Sequence, residues 1–155
     1  RPEHSAIIDY HTGGGPFGFC DFFVDDDLDG RSGPEKSRDW FSHATVIAED
    51  KAKHGKNAQS ETPGNLFYAV PEIVPGKRYT LGLVELRTGE DKTGIDAIRA
   101  ENWLFHHGDR DTAEGRAIVA EMHARFYPAQ AEWRAMVLRQ SNALIGEALA
   151  GLARV

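Results

Sequence analysis

"IIDYHTGGGPFGF", residues 7–19, begins as a strand and dissolves into glycine. Ile7 and Ile8 are β-branched and apolar, and the run "SAIIDYH" (5–11) reads as a short buried strand. It closes on His11, after which come Gly13, Gly14, Gly15, Pro16 and Gly18. Sheets of the α/β class hold their ligands at the C-terminal ends of strands. A histidine there is a candidate metal ligand, with Asp9 in the same site or behind it. It is equally a strand-end histidine bonded to backbone. The glycines either let the backbone pass a ligand closely or form a loop that follows a core strand.

Working outward, "GFCDFFV" (18–24) is a second extended piece, and "DDDLDGRSGPEKS" (25–37) is a polar loop dense in turn residues. Residues 38–54 place Trp40, Phe41, Ala44, Ile47 and Ala48 near helical spacing, and 55–64 is another loop. "NLFYAV" (65–70) is a short helix expected to stop at Pro71. "RYTLGLVEL" (78–86) is the other strong strand signal, bounded by Pro75-Gly76 and Gly89. Helices then take over. The first, 93–108, puts Ile95, Ile98, Asn102 and Phe105 on one stripe and ends at Gly108 as a C′ glycine. The second, 111–128, has Thr112 as N-cap and stops at Pro128. The third, 129–155, carries Trp133, Met136, Val137, Leu144, Ala148 and Leu152 near helical spacing. There is no internal repeat and no clear linker, so the order of elements predicts one α/β domain.

The 155 residues allow a substantial core, and three Trp, four Tyr and eight Phe mark a folded chain. Eighteen basic against 24 acidic residues leave a net charge of −6, which argues against a nucleic-acid partner. A single cysteine, Cys20, permits no internal disulfide and reads as a core thiol in a reducing, cytoplasmic setting. No segment approaches the ~20 apolar residues that span a bilayer, and no membrane partner is expected.

Glu85 stands inside the apolar strand run "LGLVELRTG". A carboxylate there is costly to bury unless paired or at work, and burial would tune it toward a general base. Its plain alternatives are to face solvent on an edge strand or to pair with Arg87 two residues on. Asp25, Asp27, Asp29 and Gly30 match the start of a calcium loop, but Lys36 occupies the position that requires glutamate. "GGGPFG" lacks the lysine and serine of a phosphate loop, so no nucleotide site is expected. His106 and His107 are adjacent near a helix end, where they cap carbonyls or face solvent.

Two stretches in combination carry a resemblance. "IIDYHTGGGPFG" resembles the D-x-H-T-G-x-G-P-x-G stretch of a bacterial branch of the zinc carboxypeptidase superfamily, which also holds succinylglutamate desuccinylase and aspartoacylase. "VELRTG" resembles the strand that carries the catalytic glutamate in those enzymes, and "AIRAENWLFHHG" and "RFYPAQAEWRAMV" look like the helical C-terminal region of the same branch. The resemblance implies a mixed sheet flanked by helices, of the zinc-carboxypeptidase (phosphorylase/hydrolase-like) fold. It implies His11 as the third zinc ligand and Glu85 as the general base that activates the metal-bound water. Tyr68, with Tyr79 in reserve, is the aromatic hydroxyl expected to close over substrate, and Arg87 is a further substrate-binding candidate.

The superfamily takes its first two ligands from an upstream H-x-x-E motif. No histidine of this chain is followed at the third position by glutamate. With the resemblance starting near Arg1, the expectation is that residues 1–155 form the C-terminal portion of one zinc-hydrolase-like domain. The N-terminal half, or a complementary chain, would then supply the other ligands of a single Zn2+ ion. The expected activity is hydrolysis of amide bonds, of carboxypeptidase or deacylase type, on a peptide or small molecule, and not by this chain alone. Exposed strand edges in the isolated chain would favour association or oligomers. The alternatives are a non-catalytic binding domain that kept the fold but lost the metal site, and a calcium-regulated adaptor built on Asp25 to Asp29.

Overall fold

The strand that opens the chain stays extended well beyond His11. In the computed structural model, which describes residues 4–25, 39–41 and 66–155, β1 covers His4–Gly13 and β2 Cys20–Asp25. They are followed by α1 (Leu66–Ile73), β3 (Arg78–Arg87), α2 (Asp91–His107), α3 (Ala113–Phe126) and α4 (Ala131–Leu152). The sheet order is β1-β3-β2. His4 Nε2 bonds Thr80 Oγ1 across a separation of 76 residues, and Thr88 Oγ1 bonds Gly13 O across 75. A near-constant offset means that β1 and β3 run parallel. Phe19 faces Arg87 through a backbone bond while Phe22 covers Gly82, so β2 runs antiparallel to β3. The sheet is mixed and the fold is α/β, as expected. No described helix is long and apolar enough to cross a membrane.

The chain divides into two compact units. The first comprises residues 1–10, 21–84 and 141–155. On one sheet face, Val70, Tyr79 and Leu81 form a buried cluster with Ile7, Leu66 and Val74 packed against it. Leu66 and Val70 lie on one stripe of α1, and Val74, just past its end, continues the same spacing of four. That stripe explains why the helix runs through Pro71 to Ile73 instead of stopping at the proline. Val74 N–H still closes on Val70 O at 3.0 Å, and apolar burial beyond the proline outweighs the one backbone donor it lacks. On the other face, the Phe22 ring lies where a Cβ of Gly82 would be and meets Phe41 edge-on at 4.6 Å. Gly151 likewise leaves room for the Trp40 ring. Of the helix expected over 38–54, only 39–41 are described, and the acidic stretch from Asp25 to Lys36 lies outside the described side chains.

The second unit comprises residues 11–20 and 85–140. Helix α2 buries Ala97 and Leu104, seven residues apart. The stripe of Ile95, Ile98, Asn102 and Phe105 is the exposed side, with Phe105 69% exposed. Spacing shows which residues share a face of a helix, but not which face is covered. Gly108 does end α2, yet at φ −108 it is not a left-handed cap. Its lack of a side chain makes room for Leu104, whose Cδ1 would lie 2.6 Å from a Cβ there. Thr112 caps α3 as expected, its hydroxyl accepting from Gly115 N–H at 2.9 Å. A Cβ on Gly115 would run into the backbone carbonyl of Asp109, so this turn accepts glycine alone. Trp133, near the start of α4, is 2% exposed. His106 and His107 are exposed in the last turn of α2.

Candidate functional site

Strand alternation puts Ile7, Asp9, His11 and Gly13 on one face of β1, and Glu85 and Arg87 on one face of β3. A Cβ on Gly13 would lie 2.7 Å from Glu85 Oε2, so the two faces are the same side of the sheet. His11 and Glu85 therefore stand on adjacent strands and on one surface. His11 is exposed, and Glu85 and Arg87 are each 23% exposed at their side chains. β3 is the middle strand, so the edge-strand reading of Glu85 does not hold. The pairing alternative does. Arg87 Nη1 is 3.9 Å from Glu85 Oε2 and donates to Gly14 O at 2.7 Å.

This geometry accounts for the glycines. Gly13 clears the Glu85 carboxylate, and Gly15, at φ +141, clears Arg87, whose Cδ would sit 2.6 Å from a Cβ. Gly15 also exchanges backbone hydrogen bonds with Gly89, and Thr88 N–H donates to Gly13 O at 2.9 Å. The glycine segment is thus tied to the end of β3 rather than being a free loop. Gly15→Ala is expected to cost about 1–3 kcal/mol through its positive φ and its collision with Arg87, as read from the denaturant midpoint.

Trp133 contributes what the sequence pattern does not show. Read by spacing it is a core residue, yet its indole N–H donates to Arg87 O at 2.9 Å and so anchors the end of β3. No local signal links the two positions, which are 46 residues apart. Tyr68 lies within α1, but its side chain is outside the described residues. Tyr79 is buried in the cluster with Val70 and Leu81.

Among the described residues no three of His, Cys, Asp and Glu are grouped so as to hold a metal ion. Zinc takes four ligands in structural sites and three plus water in catalytic ones. One exposed imidazole beside a part-buried carboxylate fits a corner of such a site, and further ligands would have to come from other residues.

A mixed α/β sheet with an imidazole and a carboxylate on one face of adjacent strands defines an α/β protein with its candidate site at the strand ends. The family described as "Protein of unknown function (DUF2817)" matches residues 1–140, and the chain belongs to that family. The family is one of zinc-carboxypeptidase-like domains. No curated protein and no solved structure matches the chain.

Proposed function

We propose that this chain carries part of the active site of a zinc-dependent amide hydrolase, of carboxypeptidase or deacylase type. The observation that supports the reading most is that "DYHTG" and "VELRTG", far apart in sequence, lie on adjacent strands with His11 and Glu85 on one face. In this reading His11 offers a ring nitrogen to the ion, together with ligands from outside the described residues. A bound zinc ion would supply Lewis acidity and lower the pKa of water. Glu85 accepts a proton at its carboxylate and returns it to the leaving amine. Arg87, held by Gly14 O, keeps the Glu85 side chain in place and adds positive charge where a substrate carboxylate or developing oxyanion would lie.

The test is metal content of the full-length protein, purified without chelator. About one zinc per molecule is expected, with His11→Ala lowering zinc affinity at least tenfold through loss of a ligand. Zinc retained unchanged in His11→Ala would rule this role out.

The Glu85–Arg87 pair favours a second reading, a binding domain without catalysis. There Arg87 ties the end of β3 to Gly14 O beside β1, while the carboxylate pairs with Arg87 along its own strand and fits against Gly13. A metal-free native protein would favour it.

A further inference from the structure

The second half of the opening stretch, "PFGF" (16–19), builds something that the His11–Glu85 surface does not use. Phe19 N–H donates to Pro16 O at 3.0 Å, and Gly18 has φ +74 at the third position of the turn. That conformation belongs to a tight turn in which glycine is required. The turn is pinned on every side. Gly18 N–H donates to Arg87 O at 2.9 Å, and Arg87 N–H donates to Phe19 O at 2.8 Å. Gln140 Nε2 donates to Gly18 O at 2.8 Å and to Met136 O at 3.0 Å. The Met136 thioether fills the space in front of Gly18, 2.5 Å from where a Cβ would be.

This rigid turn holds two large apolar side chains in solvent, Phe17 at 40% and Phe19 at 49% exposure. Together with Met136 and Arg139 they line a cleft of about 270 Å³. Arg139, on α4, is exposed and has no hydrogen-bond or ion-pair partner among the described residues. It is the cleft's one charged lining residue among those described, in a chain with an excess of acidic groups. Two aromatic side chains carried on a backbone held in place before any ligand arrives offer apolar surface at little backbone ordering cost. A guanidinium beside them selects a carboxylate, which it can hold through two parallel hydrogen bonds. The volume suits a ligand of amino-acid size.

We propose that this cleft binds a small carboxylate ligand with an aromatic or other apolar side group. The side group lies against Phe17, Phe19 and Met136, and the carboxylate meets Arg139. The site stands whether or not Glu85 is catalytic.

The test is an NMR titration of the full-length protein with N-acetylphenylalanine and, separately, with its primary amide. The acid is expected to perturb the backbone signals of 16–19 and Arg139, and to bind about two- to fivefold more tightly than the amide, the scale of an ion pair open to solvent. Arg139→Gln should abolish that preference, and Phe17→Ala should weaken acid and amide alike. Equal binding of acid and amide would overturn the proposal. So would a preference that survives Arg139→Gln, or the absence of binding up to about 10 mM acid.

Discussion

Glu85→Gln in the zinc-loaded, full-length protein is expected to lower kcat for amide hydrolysis by about 10²–10⁴-fold while metal content and folding are unchanged. Glutamine keeps the shape and the hydrogen-bonding reach of the side chain, so it still fits beside Gly13, where a Cβ would already touch Glu85 Oε2. What it loses is the capacity to take a proton. It also loses the charge that Arg87 faces at 3.9 Å, but this pair is partly open to solvent and contributes little to stability. The two readings of the site therefore separate cleanly. If Glu85 is a base, hydrolysis collapses with the melting temperature almost unmoved. If Glu85 only pairs with Arg87 and fills the space beside Gly13, hydrolysis is unaffected by the substitution, and the hydrolase reading of this residue is wrong. KM serves as a control, because removal of a base should leave substrate binding nearly intact.

Trp133→Ala is expected to produce the largest loss of stability, about 3–5 kcal/mol, read as a lower denaturant midpoint. Three contributions coincide at this residue. The indole is 2% exposed, so truncation leaves a cavity. Its N–H donates to Arg87 O at 2.9 Å, and its ring meets Tyr127 edge-on at 5.7 Å. Trp133→Phe separates these effects. It keeps most of the buried ring and loses the hydrogen bond, for which a loss of about 1 kcal/mol is expected. Arg87 O still accepts from Gly18 N–H, so the carbonyl is not left bare. A Trp133→Ala protein as stable as the parent would show that the start of α4 does not depend on this anchor.

Several features were readable without coordinates because their causes are local. The apolar runs of β1 and β3, the turn residues around them, and Thr112 as a cap depend on residues within a few positions of one another. The glycine-rich stretch was readable as either a close approach of backbone to a ligand or a loop after a core strand. What approaches it was not recognisable, because Glu85 and Arg87 lie about seventy positions further along the chain. The continuation of α1 past Pro71 was missed for the same reason, and the spacing in α2 left open which face is covered. Periodicity reports that Ile95, Ile98 and Phe105 share a face, while the position of other elements decides whether that face is covered.

By itself, then, the sequence determined an α/β chain with a histidine near the end of one strand and a glutamate within another, because strand and helix patterns are written in short-range spacing. Only the tertiary structure decided that β3 is the middle strand and that Glu85 pairs with Arg87 on the His11 face. It also decided that Gly13, Gly15 and Gly18 make room for Glu85, Arg87 and Met136. Each of these rests on steric exclusion and hydrogen bonding between residues brought together through space, and no pattern of neighbours along the chain encodes which partner will arrive.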